Sequence, residues 1–238
     1  MKLDILAFGA HPDDVELGAA ATIAKEISLG KKVGIIDLTQ GELGTRGSKE
    51  LRKEEASKAA NILGVSVREN LKFADGFFVN DKEHQLKIIK YIRKYQPSIV
   101  LCNAVDDRHI DHGKGSKLVS DACFLSGLQK IVTECDGKPQ QQWRPKLVYH
   151  YMQWKNTHPD FVVDVSGFME IKMKAVLSYN SQFYNPNSKG IETPISTKNF
   201  IDSIEYRARE LGRLIGVDYA EGFTVERFIA VTSLNKLI

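Results

Sequence analysis

The sequence predicts an α/β protein, a three-layer sandwich in which helices cover both faces of a mostly parallel sheet and a less regular C-terminal part elaborates it. Three observations carry this. Over roughly the first 130 residues, short apolar runs alternate with segments of helical apolar spacing, the pattern of strands joined by crossover helices. The first, second and fourth strand-sized runs are mostly apolar rather than alternating, as strands buried on both faces tend to be. Capping residues and glycines stand where the intervening helices must start and stop.

The elements follow in order. Lys2 to Gly9 reads as a buried strand, and Val15 to Leu29 has helical spacing and stops at Gly30. "VGIIDLT" (Val33 to Thr39) is a second buried strand. The polar loop "QGELGTRGSKE" then leads into a helix through Leu63, with Ser48 as N-cap and Gly64 as stop. "NLKFAD" is a short strand, Glu83 to Tyr95 a helix, and Ser98 to Cys102 another buried strand. The loop "NAVDDRHIDHGKG" runs into a helix to about Leu128. Beyond it, Lys146 to Tyr151 and Phe161 to Asp164 read as strands, and Ser166 to Tyr179 and about Phe200 to Ile215 as helices. "NPNSKGIETP" is a turn-rich loop, and Phe223 to Ser233 is expected as a final strand. With no internal repeat, low-complexity tract or linker, residues 1–238 are expected to form a single domain.

Composition narrows the function classes. Apolar residues make up 42% and charged residues 26%, the balance of a globular protein with a core. A net charge of +3, without long basic runs, gives no footprint for nucleic acid. No apolar stretch is long enough to span a membrane, and Asp4 and His11 interrupt any signal-peptide layout. Cys102, Cys123 and Cys135 form no C-x-x-C pair. They read as reduced thiols, so a cytoplasmic location is expected.

The chemistry lies in two loops. Where many α/β proteins place a glycine-rich phosphate loop, the first strand here ends in "GAHPDD", with His11, Asp13 and Asp14; the later strand ends in "DDRHIDH", with His109, Asp111 and His112. In a parallel sheet, ligands bind at the carboxyl ends of the strands, so both loops should open on one edge. An aspartate at a helix start is ordinarily only a cap, and surface histidines mostly do nothing. The pairing of the two loops changes that reading. A catalytic zinc takes three N or O donors and keeps one position open. His11, Asp14 and a histidine of the second loop supply such a trio, a set that also suits Fe(II). Such a metal lowers the pKa of bound water to about 7. Asp13, beside Asp14, is the natural general base. His109, if protonated, would stabilise an oxyanion and later protonate a leaving amine. Asp111 would accept an imidazole N–H and orient a neighbouring histidine.

With these residues in place the chain resembles the PIG-L/LmbE family of zinc-dependent N-acetylglucosaminyl deacetylases, a Rossmann-like fold. It is most similar to the branch acting on N-acetylglucosaminyl-malate in bacillithiol biosynthesis. "AFGAHPDDVELG", "DLTQGELGTRG", "ELRKEEA", "DDRHIDH", "SQF" and "YAEGF" carry the likeness over nearly the whole chain. The resemblance implies that His11, Asp14 and His112 bind zinc, that Asp13 is the base, and that His109 stabilises the transition state with Asp111 as its hydrogen-bonded partner. It implies a small amino-sugar substrate and a homo-oligomer, trimer or hexamer. Arg52 matches the arginine that relatives use for malate, a carboxylate fork otherwise readable as an i,i+3 pair with Glu55. Arg46 and Arg108 are weaker candidates, and Glu42, Asp75 and Gln182 are candidates for sugar hydroxyls. Two departures stand out. Val15 separates Glu16 from the H-P-D-D-E spacing of the wider family, and Phe200 stands where relatives can carry a pocket-closing tyrosine.

Other readings remain at this point. The same chemistry serves a chitobiose-like sugar or another thiol precursor, and a non-catalytic sugar or nucleotide module is a third possibility, although "GAHPDD" lacks the G-x-G-x-x-G fingerprint. His84 is expected to be solvated, His150 to pack in the core, and the "HPD" at His158 to Asp160 to form a turn.

Overall fold

The computed structural model describes residues 1–188 and 190–236. Its centre is a seven-stranded sheet in the order β3-β2-β1-β4-β7-β9-β8. β1 (Ile5–Gly9), β2 (Val33–Thr39), β3 (Val67–Phe73), β4 (Ile99–Cys102) and β7 (Leu147–Tyr151) all run parallel. β9 (Ala220–Val225) turns antiparallel to β7, and β8 (Phe161–Asp164) is antiparallel to β9 at the far edge. A two-strand ribbon, β5 (Glu134–Cys135) with β6 (Lys138–Pro139), stands apart.

Alternate residues of β1 serve opposite layers. Ile5 and Ala7 join one apolar cluster with α1 (Asp14–Ser28), α2 (Lys49–Leu63) and α5 (Met169–Leu177). Leu6 and Phe8 join the other, with α3 (Lys82–Tyr95) and α4 (Ile110–Ser126). Each Leu, Ile or Phe fully buried in this way contributes about 1.5–3 kcal/mol. α1 approaches the sheet through Ala19, Ala20 and Ala24. Gly18 is required there, because any Cβ would run into the Tyr151 ring, whose hydroxyl donates to the Phe8 carbonyl at 2.8 Å.

The helix boundaries follow their capping chemistry. The Ser48 hydroxyl accepts from the Leu51 N–H, and Gly64 closes α2 at φ 74°; α6 (Lys198–Ile215) opens on Thr197 and closes at Gly216. The C-terminal expectations fit less closely. The last strand ends at Val225 rather than Ser233, because β9 finds partners in β7 and β8 only from Ala220 to Val225. α5 is shorter than the expected Ser166 to Tyr179, and β3 starts earlier, at Val67.

The order places β1 between β2 and β4. The chain leaves β1 toward β2 with α1 on one face, and leaves β4 toward β7 with α4 on the other. Such a reversal opens a crevice at the carboxyl ends of the two central strands. It brings the loop after β1 against the loop after β4.

Candidate active site

The first loop is braced before it reaches any chemistry. Ala10 accepts from the Thr39 N–H and hydroxyl at 3.0 and 2.9 Å, and its own N–H donates to Asn103 Oδ1 at 2.9 Å. Gly9 has no room for a side chain, since a Cβ would lie 2.9 Å from the His11 carbonyl. Asp13 occupies the N-cap position of α1 at φ 124°, yet its carboxylate makes no cap bond. Such a backbone costs of order 1–3 kcal/mol in a non-glycine residue and persists only where its surroundings enforce it. The freed carboxylate meets Arg52, whose Nη2 donates to Asp13 Oδ2 at 2.6 Å.

Asp14 opens α1 and is the hub of the site. One oxygen accepts from the His11 N–H and from Asn103 Nδ2, both at 2.9 Å. The other lies 3.0 Å from His112 Nε2 and from Gln153 Nε2. His11 Nδ1 lies 3.5 Å from Asp14 Oδ2, and its Nε2 lies 3.0 Å from Asp75 and 3.5 Å from Asp111. His112 Nδ1 meets Asp107 Oδ2 at 2.6 Å. His109 caps α4: its Nδ1 accepts from the Asp111 N–H, and its ring stacks on His112 with centroids 5.2 Å apart. One nitrogen from each of His11, His109 and His112 falls within 4.8 Å of the others, as do His11, Asp75 and Asp111 through one atom each. The loops that begin after β1 and β4 thus converge on Asp14.

The carboxylates here stabilise positive charge on the imidazoles they surround. Burial works against a charged imidazole, but Asp111, Asp14 and Asp75 raise His11 well above the usual histidine range. Against the same penalty, Asp14 and Asp107 raise His112 to about 9. For Asp14, burial opposes ionisation, yet His112 and His11 hold the group well below the usual carboxylate range. Asp13 differs: burial pushes it up to about 6, with Asp14 adding to the rise and Arg52 opposing it. Burial, then the charges of His11 and His112, hold His109 low. Imidazole nitrogens among buried carboxylates offer the mixed N/O donor set that a divalent metal ion can take.

The remaining sequence candidates sort by geometry. Arg52 is buried; besides Asp13 it donates to the Pro12 carbonyl at 3.2 Å and the Gly41 carbonyl at 3.4 Å. It does not pair with Glu55, whose carboxylate receives the Ser181 N–H and hydroxyl. The Glu42 carboxylate receives the Gln40 and Asp75 N–H groups, which occupies it in shaping its own loop. Asp75 faces His11 and accepts from the Leu43 N–H. Gln182 lines the cavity and donates to the Arg46 carbonyl at 2.6 Å. Asp111 meets His109 through its backbone, not its carboxylate, because that carboxylate turns inward to the Gly76 N–H and His11. Glu16 points away under α1, fully buried against Arg68, which also forks onto Asp37 at 2.8 and 2.9 Å. Phe200 stacks between Trp154 and Phe183. His84 is half-buried against Phe73, and His150 is buried between Ser116 and Glu226.

Three side chains escaped the sequence reading: Asn103, Gln153 and Asp107. Asn103 is the first residue after β4, and Asp107 sits inside "DDRHIDH", so each had a positional signal. Gln153, just past β7, had none.

The site opens into a cavity of about 1550 Å³, larger than the roughly 300–1,000 Å³ of ordinary small-molecule sites. His11, Asp13, Asp14, His109 and His112 line one part of it, and Met152, Phe161, Phe200, Ile204 and Leu211 an apolar part.

Comparison with known proteins agrees with this geometry. The sequence model of the PIG-L family, described as GlcNAc-PI de-N-acetylase, matches residues 6–123, the segment that holds both loops. A diacetylchitobiose deacetylase of Thermococcus kodakarensis is 32% identical over 195 residues, covering 75% of this chain and 70% of that protein. Among solved structures, a conserved protein of Thermus thermophilus superposes with a TM-score of 0.87 at 33% identity, covering 98% of each chain. The N,N'-diacetylchitobiose deacetylase of Pyrococcus horikoshii gives 0.79 at 25% identity, covering 98% of this chain and 88% of that one. With the two loops, the sheet order and these likenesses in agreement, the chain belongs to the PIG-L family of de-N-acetylases.

Proposed function

We propose that the protein is a metal-dependent amide hydrolase that removes the acetyl group from an N-acetylglucosamine conjugate, with N-acetylglucosaminyl-malate of the bacillithiol route as the substrate. One observation carries the reading: His11, Asp14 and His112 converge at the wall of a large cavity, beside an aspartate held free of helix capping. His11, Asp14 and His112 would hold the cation, zinc or Fe(II), with Asp75 orienting His11 and Asp107 orienting His112. When bound, the cation supplies Lewis acidity that polarises the acetamide carbonyl and acidifies water.

The residues around it divide the proton work. Asp13 takes the proton from the attacking water as its oxygen adds to the carbonyl carbon. A carboxyl pushed up to about 6 is a stronger base than an ordinary aspartate and still ionised at neutral pH. The Nδ1 of His109 accepts the Asp111 amide proton, which leaves its own proton on Nε2. That N–H is available to the oxyanion of the tetrahedral intermediate. The C–N bond then breaks, the amine leaves with the proton that Asp13 had taken, and acetate remains.

The sequence likeness to diacetylchitobiose deacetylase favours a second substrate, an uncharged N-acetylated disaccharide, for the same chemistry. An acetate-release assay on malyl N-acetylglucosaminide, diacetylchitobiose and methyl N-acetylglucosaminide, with metal analysis of the same sample, tests both. The expected result is release from the malyl conjugate above the others. It should fall at least about a hundredfold in Asp13→Asn while the metal content stays. Full activity in chelator-treated, metal-free protein, or no release from any of the three by metal-loaded protein, would overturn the reading.

A further inference from the structure

Arg46, Arg52, Arg108 and Arg207 line the cavity. Arg46 gives a guanidinium N–H to the Ser188 hydroxyl at 2.7 Å, and Arg207 is engaged on the Gln153 and Trp154 carbonyls. Of the other two, only Arg108 has a guanidinium to spare. Arg52 is buried, with both Nη groups turned onto Asp13 and two backbone carbonyls. Only its buried Nε is without a partner among the described residues, so it has no free pair of Nη groups for an anion. Arg108 is exposed at the cavity wall, next in the chain to His109. Among the described residues its guanidinium meets neither a carboxylate nor a carbonyl. The nearby acids are engaged elsewhere: Asp106 pairs with Lys155 at 2.6 Å, and Asp107 holds His112 and the Lys155 N–H.

The support beneath Arg108 is built rather than incidental. Its guanidinium carbon lies 4.4 Å from the centre of the Trp154 ring. The indole stacks in turn on Phe200, centroids 5.5 Å apart at 16°, and Phe200 on Phe183 at 6.0 Å and 15°. Arg207 fixes the strand-end segment that carries Trp154, donating to the Gln153 and Trp154 carbonyls and to Asn156 Oδ1. A guanidinium seated over an indole face is held by that contact and keeps N–H groups free for two parallel hydrogen bonds to a planar anion.

We infer that Arg108, seated on Trp154, is the anion-recognition element of the cavity and selects N-acetylglucosaminides whose aglycone carries a carboxylate or a phosphate. The inference rests on the deacetylase reading and deepens it, moving the anion contact from Arg52 to Arg108. Arg52 then acts as a positioning residue through Asp13 and serves every substrate alike.

The test uses metal-loaded protein and three glycosides: malyl N-acetylglucosaminide, N-acetylglucosamine 1-phosphate and uncharged methyl N-acetylglucosaminide. Arg108→Met should raise KM for the better of the two anionic glycosides by about 10- to 100-fold, the loss of a charge-assisted pair. Its kcat/KM for the methyl glycoside should change less than about threefold. Whichever anionic glycoside shows the larger effect identifies the carboxylate or the phosphate. Arg108→Lys should recover only part, since an ammonium neither stacks flat nor forks. Arg52→Met should instead lower kcat on all three. Calorimetric binding of the malyl glycoside reads the subsite without turnover: at least about tenfold weaker binding by Arg108→Met supports it, even if no glycoside proves a substrate. Equal losses on charged and uncharged glycosides, unchanged binding, or selectivity that follows Arg52 instead of Arg108 would overturn it.

Discussion

Asp13 brings backbone, burial and charge to bear on one carboxylate. Its φ of 124° turns it away from the helix end that an aspartate at this position normally caps. Burial raises its pKa to about 6, and Arg52 at 2.6 Å keeps it from rising further. A general base works in its ionised form, so activity is lost as the pH falls through its pKa. Removing the arginine removes the charge that favours ionisation. In Arg52→Met the acid limb of the kcat/KM profile should therefore move to higher pH, by about one unit or more, as for an aspartate deprived of an adjacent arginine. A profile over about pH 4.5–9 on metal-loaded wild type and variant checks this; an unmoved limb would separate the limb from Asp13. Residues of this kind differ in how visible they are in sequence. His11, Asp14 and His112 were legible because imidazoles and acids crowd strand ends where packing offers no reason for them. Asn103 and Gln153 were not, since loop amides are ordinary, and their bonds to Asp14 span 89 and 139 positions.

At the scale of elements, the site depends on where α1 lies, because that helix presents Asp13 and Asp14 at its N-terminus. Besides its alanine face, a buried ion pair holds it. Lys172 of α5 meets Glu221 of β9 at 2.6 Å and donates to the Leu17 carbonyl at 2.8 Å, while the Glu221 carboxylate accepts the N–H groups of Ala21 and Thr22. Both side chains are almost wholly buried. Removing one partner of such a pair leaves an uncompensated charge and costs about 3–5 kcal/mol. Lys172→Met should lose stability of that order in urea denaturation. Adding Glu221→Leu should cost less than the sum of the two single changes, since the paired groups are coupled. Strict additivity would show the two side chains to be independent. The sequence revealed the helices better than this clamp. Ser48, Gly64 and Gly216 mark ends by local chemistry, whereas Lys172 reads as one more cation of an amphipathic helix. The final strand shows the same limit: "RFIAVTS" has strand-like composition, but the pairing of β9 with β7 ends at Val225 and with β8 at Phe223.

For the molecule as a whole, the active site is a consequence of strand order. The parallel core and its crevice followed from alternating strands and helices, and with them the meeting of two loops about a hundred residues apart. The antiparallel edge formed by β9 and β8 did not, because the short strands after residue 146 carry nothing in their composition that sets direction or neighbour. The crevice has an energetic consequence. Donors on the loops after β1 and β4 are far apart in the unfolded chain, so a cation held by His11, Asp14 and His112 binds the folded state almost alone. Binding then adds RT ln(1 + [L]/Kd) to stability, about 2.7 kcal/mol when the free metal is a hundredfold above Kd. For a chain of this size 1 kcal/mol shifts the melting temperature by about 2–4 °C, so zinc should raise that of metal-stripped protein by about 5–10 °C. Calorimetric scans of the stripped protein, with and without zinc, measure the shift. His112→Ala should abolish most of it, because the proposed trio then loses the ligand that the loop after β4 contributes. Arg108→Met should retain it in full, because that side chain lies on the cavity wall and not among the donors. If His112→Ala gains as much as wild type, His112 is not a ligand, and the trio of His11, Asp14 and His112 is not what holds the cation.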